Sequence, residues 1–363
     1  MKITDVRVIW IELPPLARPV CSAISITAAR TLSILEITTD EGLIGADLEG
    51  GYKDLAVTYL KDVIVGEDPF YPERIWHKMF RGWRRPIAKG EIIAAMSGVD
   101  IALWDIIGKA LGQPLYKVLG AYRDTVPAYA AGGYYQEGKS LTDLADEMRH
   151  YVDMGYRAVK MKVGGVPWRE DVERVRVVRD AIGDGVDLMV DANGAWDAPT
   201  ALRFGRAIAE YEPYWFEEPV PPTDLRGAAQ VAAALDIPVA MGENEFTRFG
   251  FRDIIAAQAA DILQPNPGLC GGISEWRKIA AMASAYHLPM APHSCGHGSA
   301  HLVASIENGL IVETYPDLGW THEVAAPLEF RDGLIHLPDR PGLGIEWDEE
   351  KIRYYQVACM PRD

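Results

Sequence analysis

Two periodicities divide the chain. From about Val126 onward, short apolar runs that each close on a polar residue alternate with stretches whose apolar positions recur every three or four residues. The runs are VPAYAAGG, AVKMKV, DLMVDAN, YWFEEP, PVAMGENE, DILQPN, PMAPHS and LIVETY, separated by amphipathic stretches such as WREDVERVRVVRDAIG and APTALRFGRAIAEYE. Eight strand-helix units over roughly 200 residues predict a (β/α)8 barrel, an α/β fold of the TIM type. The preceding stretch reads differently. ITDVRVIWIEL and TLSILEITTDEGLIGADLEG have strand character, with a hairpin turn at Asp40-Glu41-Gly42, and a long helix runs from Ile92 to Gly112 before Pro114. The final segment, including GLIHLPDRPGLGIEWDEEKIRYY, loses the strand-helix rhythm. The predicted organisation is an α+β domain over residues 1–122, the barrel over 123–322, and a C-terminal segment, 323–363, returning to the N-terminal domain.

In such barrels the working side chains stand at the C-terminal ends of the strands. Here those ends carry Lys160 and Lys162, Asp191, Glu217, Glu243, Asn266, His293 and Glu313. Asp191, Glu217 and Glu243 follow one another at equal steps of 26 residues, so each sits one βα unit further round the same rim. Three converging carboxylates repel one another unless a cation joins them. A set of oxygen ligands without Cys or His suits Mg2+, for which Mn2+ can substitute. A single strand-end acid is ordinarily a surface carboxylate of an acidic protein; three in register seldom are. Lys160 and Lys162 alternate with Val159, Met161 and Val163, which turns both lysines into the barrel mouth. Their mutual repulsion and a nearby cation are expected to lower the pKa of Lys162 until it can act as a general base.

Composition narrows the class without specifying the chemistry. The 363 residues are 48% hydrophobic and 24% charged, with a net charge of −16 and a pI near 5.0. That acidity argues against nucleic acid or an anionic membrane as a partner. An acidic chain that handles small anions needs a local positive centre, which a divalent cation and clustered lysines would supply. No apolar run approaches the ~18 residues of a membrane span, and Met1-Lys-Ile-Thr-Asp carries no secretory pattern. Cys21, Cys270, Cys295 and Cys359 are far apart and lack CxxC spacing, so a reducing, cytoplasmic setting is expected.

SGVDIALWDIIGKALGQPLYKVLG (Ser97 to Gly120), the Lys-x-Lys pair, VDANGAW, WFEEP, MGEN, GGISEWRKIA and PHSCGHG occur in an order that resembles the enolase superfamily, specifically the mandelate racemase group. The resemblance spans essentially the whole chain. It implies that the N-terminal domain and C-terminal tail form an α+β cap over the barrel, and that Asp191, Glu217 and Glu243 hold Mg2+. It implies removal of a proton α to the carboxylate of a small substrate, with the cation stabilising the resulting enediolate. Lys162 matches the family base, Lys160 stands near the substrate carboxylate, and His293 matches the group on the opposite face of the substrate. Glu313 matches a position that hydrogen-bonds the enediolate oxygen, which requires it to be protonated; an edge carboxylate facing solvent is the competing reading. Asn193, two residues after Asp191, is expected beside the metal or the substrate carboxylate. His297 and His301 follow His293 at four-residue steps, a spacing that invites zinc. Gly296 and Gly298 argue against one continuous helix there, and the acidic set already accounts for a metal. His297 is therefore expected in a loop near substrate and His301 in the following helix. Homo-oligomers, dimers or octamers, are common in the group.

One position departs from the pattern. Many members of the group pair the seventh-strand His with an Asp from the sixth strand, and here that Asp is Asn266. An amide can orient the ring but adds no charge, so His293 is expected to be a weaker base than in a two-base racemase. Dehydration needs one base and one acid, and His293 or another donor can fill the acid role. The first choice is β-elimination of water from an acid sugar, an aldonate or aldarate. A racemase, epimerase or lactone cycloisomerase is the alternative, and a relic that binds metal and sugar acid without turnover is the third reading. Specificity is expected in the capping loops Pro14 to Thr31 and Leu48 to Asp54, with Arg18 and Tyr52 as candidate contacts.

Overall fold

The computed structural model describes residues 1–82, 88–293, 296–319 and 321–359. Two long strands, Ile3–Leu13 and Arg30–Thr39, pair antiparallel, and the predicted turn at Asp40 to Gly42 folds Ile44–Asp47 back onto the second of them. Gly42 at φ 81° makes that turn without a Cβ clash. Ile3, Val6, Leu35 and Ile37 from this sheet share a core with helices Pro72–Gly82 and Glu91–Ala110. Helix Glu91–Ala110 buries most of its surface because it is wedged between the sheet and the barrel. Its two buried acids serve that position. Asp100 accepts hydrogen bonds from the Ser274 N–H and hydroxyl, both at 2.7 Å. Asp105 accepts from the N–H groups of Ala46 (3.0 Å) and Leu343 (2.8 Å), joining sheet, helix and C-terminal tail.

Strands Thr125–Gly132, Ala158–Lys162, Asp187–Asp191, Trp215–Glu217, Val239–Met241 and Ile262–Leu263 pair in parallel, and Val312–Thr314 closes the ring on the first of them. The seventh predicted strand, PMAPHS, shrinks to single bridges from Met290 to Leu263 and Gly309. Pro289 and Pro292 flank Met290 and lack the N–H donors that a longer ladder needs. The tail also differs from expectation. Before it reaches the N-terminal sheet, its hairpin Glu329–Arg331/Leu334–His336 adds antiparallel to the start of the first barrel strand, with Ile335 opposite Val126. Apolar burial explains the detour: Ile335 enters the barrel core and Phe330 stacks on Tyr156 at 4.1 Å. Only then does Gln356–Val357 pair with Ile3–Leu13. No helix among the described residues is long and apolar enough to cross a membrane. Cys21, Cys270 and Cys359 are free, and Cys295 lies outside the described residues.

Candidate active site and metal centre

Strand register, more than spacing, assembles the rim. Lys162 pairs across the ladder with Asp191, and Asp191 with Glu217, so the three stand level on neighbouring strands. Glu243 lies just beyond Val239–Met241, and one oxygen from each of Asp191, Glu217 and Glu243 comes within 4.8 Å of the others. Glu217 Oε2 accepts from Trp215 Nε1 (3.0 Å) and Gln264 Nε2 (2.8 Å). Asn193, at φ 44°, folds back as expected: its N–H donates to Asp191 Oδ1 at 2.8 Å, and its amide Nδ2 lies 3.4 Å from Glu243 Oε1. Burial, then the nearby Asp191, pushes Glu217 up to about 8. Glu218, unremarked in the sequence, turns away at φ 38°, accepts hydrogen bonds from Asn244, and is pushed up to about 9 by burial and Glu243. Buried acids at such close quarters fit a hard divalent cation, which oxygen ligands alone can hold. Glu243 Oε2, buried and without a hydrogen-bond donor among the described residues, is suited to such a ligand role.

The two lysines are buried and differently engaged. Lys160 Nζ lies 2.7 Å from Glu217 Oε1, 2.7 Å from Glu313 Oε1 and 3.2 Å from the Tyr129 hydroxyl, three partners for its three protons. Lys162 makes a short ion pair with Asp191 and stands 5.4 Å from the Tyr134 ring centre. Burial disfavours both ammonium groups, but the acids outweigh it. Glu217 and Glu313 hold Lys160 well above the ordinary lysine range, and Asp191 does the same for Lys162. The expected fall in the Lys162 pKa is therefore absent from this arrangement, because attraction to an adjacent carboxylate exceeds repulsion from Lys160. Glu313 needs the same correction. Burial favours its protonated form, but the adjacent Lys160 ammonium, the strongest opposing influence, holds it well below the usual carboxylate range. Ionised, it anchors Lys160 and has no proton to donate. Nor does it face solvent, being 1% exposed.

His293 Nδ1 lies 3.2 Å from Asn266 Nδ2, and its Nε2 lies 3.4 Å from Glu243 Oε2 and 3.7 Å from Glu313 Oε2. Asn266 Oδ1 accepts the Gly268 N–H at 2.8 Å, which fixes the orientation of the amide. Nδ2 must then present its N–H to the ring. Nδ1 is the acceptor, and the neutral ring carries its proton on Nε2. A carboxylate at 266 would impose the opposite tautomer. The amide thus does more than withhold charge: it makes Nε2 of neutral His293 a donor toward the rim.

The remaining predicted residues separate. His301 does lie in a helix, His297–Ala304, but it is structural: its Nδ1 accepts the Tyr116 N–H and its Nε2 bonds to Leu343 O, both at 3.1 Å. His297 opens that helix instead of lying in a loop, and lines a cavity with Tyr156, His322 and Phe330 that lacks His293. Burial holds His297 down at about 4. Arg18 is exposed beside a groove with Asp143 and Asp317, and Tyr52 is 50% exposed. Neither lines the cavity of about 360 Å3 that opens over His293 and Asn266. The reason is local. Val20–Cys21 and Ile26–Thr27 form a hairpin whose Cys21 pairs with Tyr135, turning Val20 and Thr27 to the cavity and leaving Arg18 outside. Tyr134 and Glu49 line it instead. GGYY after the first barrel strand was a legible pointer to Tyr134; Glu49, inside the predicted capping loop, had no signal beyond its place there.

His301 carries a pH prediction. Burial lowers its pKa from 6.5 to about 4, so the unfolded chain takes up the proton first as pH falls. The stability His301 contributes is present above about pH 6.5 and is lost toward pH 4, by about 3 kcal/mol. His301→Asn should destabilise at pH 8, and that deficit should shrink by about this amount at pH 4. Urea midpoints of both proteins across pH test it; a deficit that does not change with pH would refute it.

Residues 4–120 match the family described as mandelate racemase / muconate lactonizing enzyme, N-terminal domain, and residues 143–351 match that described as enolase C-terminal domain-like. The chain is 37% identical over 321 residues to the arabinonate dehydratase of Saccharolobus solfataricus, covering 85% of this chain and 86% of that protein. It is 36% identical to the 3,6-anhydro-alpha-L-galactonate cycloisomerase of Streptomyces coelicolor, covering 81% and 80% respectively. Among solved structures, an L-talarate/galactarate dehydratase mutant liganded with Mg and L-glucarate superposes with a TM-score of 0.90 at 32% identity, over 98% of this chain and 92% of that one.

Proposed function

The chain belongs to the mandelate racemase / muconate lactonizing enzyme family of the enolase superfamily, and on that premise we propose that it is a Mg2+-dependent acid sugar dehydratase. The observation that carries this reading is the pair of unlike partners at one rim: Lys162 with an acid, and His293 holding a proton on Nε2 because Asn266 faces Nδ1. When bound by Asp191, Glu217 and Glu243, Mg2+ supplies Lewis-acid stabilisation of the charge that develops on the substrate carboxylate. Lys162 shares Asp191 with that site; with the carboxylate engaged by the cation, Nζ would lose its ion pair, release its proton to solvent and stand as the neutral base. It takes the α-proton as the C–H bond breaks, and the electron pair passes into the enediolate. Collapse of the enediolate expels the β-hydroxyl, which takes the Nε2 proton of His293 and leaves as water. The enol then tautomerises to a 2-keto-3-deoxy acid. Lys160 stays charged against Glu217 and Glu313 and adds positive charge beneath the substrate.

Cycloisomerisation uses one base and one donor in the same way, and a cycloisomerase stands among the relatives, so it is the second reading. Racemisation fits less well, because Nε2 of neutral His293 offers a proton where a second base is needed. The test is to incubate the protein with Mg2+ and a panel of aldonates, aldarates and their lactones. A keto product that disappears in EDTA is expected. Lost optical rotation without keto product would mean racemisation, rearrangement without water loss would mean cycloisomerisation, and no α-exchange in D2O would leave a binding relic. Cytoplasmic residence, which the three free cysteines favour, and homo-oligomeric assembly belong to this reading; a monomer by light scattering would remove the latter.

A further inference from the structure

We infer that the substrate carries a single carboxylate and that its far end is uncharged, so the chain takes aldonates and excludes aldarates; this rests on the reaction proposed at the rim. The carboxylate next to the reacting carbon finds its positive charge there. The rest of the substrate must occupy the cavity of about 360 Å3 over His293 and Asn266. Val20, Leu32, Leu48 and Leu318 make much of its wall apolar, and no Lys or Arg lines it among the described residues. His322 also lines it, and burial lowers its pKa, so near neutrality it brings no charge.

Among the described residues, the one carboxylate on this wall is Glu49. Its Oε1 accepts the Gly298 N–H at 2.7 Å, at the start of helix His297–Ala304. A helix start is where an incoming anion would be held, and here the protein's own anion fills it. Gly296 makes room for this, since a Cβ there would collide with Glu49 Oε1. Glu49 Oε2 is buried and finds no hydrogen-bond partner among the described residues. An unsatisfied acceptor on this wall favours a hydroxyl donor as its neighbour and disfavours a second carboxylate. Burial, then Asp47, already pushes Glu49 up to about 7, and a second anion beside it would have to bring a proton along. The unpaired acceptor and the lack of a cation among the described lining residues therefore act in one direction, toward polyols with a neutral terminus.

The experiment compares five- and six-carbon aldonates with the aldarates of the same configuration, using the Mg2+-loaded protein. The expected result is a preference for the monoacid of about 100-fold or more in kcat/KM for α-proton exchange. Glu49→Gln should shrink that ratio at least tenfold, by admitting the diacid. Binding of both acids to Mg2+-loaded Lys162→Ala, read by calorimetry, separates the two proposals. A diacid that binds as tightly as the monoacid overturns this inference whether or not the wild type exchanges protons. A preserved monoacid preference with no exchange in the wild type overturns the dehydratase reading and supports the charge selectivity. Binding of neither acid at millimolar concentration overturns both.

Discussion

Lys162→Ala is expected to lower α-proton exchange by about 1,000-fold, the scale at which a positioned base contributes. Lys160, two residues away on the same face, cannot take over. Its three protons are already committed to Glu217, Glu313 and Tyr129, and it is enclosed at 1% exposure. Removing Lys162 breaks one ion pair, to Asp191, and leaves that carboxylate to the cation. Mg2+ binding should therefore persist or tighten in this variant while exchange disappears. Lys160→Ala differs in kind, because it strands two buried acids and should lower stability together with activity. The check is NMR-detected exchange of the α-proton in D2O alongside a calorimetric Mg2+ titration. Exchange within tenfold of wild type in Lys162→Ala would place the base elsewhere.

Much of this arrangement is legible before any coordinates, and the rest fails for identifiable reasons. Equal steps of 26 residues announce Asp191, Glu217 and Glu243, because one βα unit carries a residue one strand round the ring; the ladder then sets Asp191 opposite Glu217. Alternation alone places both lysines inward. It cannot say which acids they meet, and the protonation states depend on that. Lys160 against Glu313 keeps the acid ionised, whereas the family resemblance implied a proton on it. Both capping loops line the cavity, but through members other than the two expected contacts. Arg18 and Tyr52 are the residue types that most often touch ligands, yet a hairpin locked to Tyr135 and a left-handed turn at Tyr52 (φ 51°) leave the lining to Val20, Thr27, Leu48 and Glu49. Such turns depend on pairing with distant segments, which no local pattern records. The tail shows the same limit. Its apolar hairpin pairs with a barrel strand some 200 residues earlier in the chain, at Ile335 and Val126.

Asn266→Asp should reverse the tautomer of His293 and open exchange on the second face of the substrate. One carboxylate oxygen can still accept the Gly268 N–H, and the other would take the proton of His293 Nδ1. Nε2 would then present a lone pair to the rim, where it now carries a proton, 3.4 Å from Glu243 Oε2 and 3.7 Å from Glu313 Oε2 without a hydrogen bond to Glu243 Oε2. A group that donated to the departing hydroxyl becomes one that accepts from carbon. Dehydration should fall and exchange on the second face should rise, each by roughly tenfold or more, with the opposite α-configuration accumulating. Asn266→Ala separates orientation from charge: it removes the restraint on Nδ1 without imposing the other tautomer, so dehydration should fall with no new exchange. The 15N shifts of the His293 ring report the tautomer directly in all three proteins. An Asn266→Asp protein whose ring tautomer flips but whose exchange stays on one face would show that the protonation of His293 does not decide the reaction. An unflipped ring would show that Asn266 does not decide the protonation. If both change together, the identity of one side chain at the end of the sixth strand selects between a one-base and a two-base reaction on an otherwise unaltered rim.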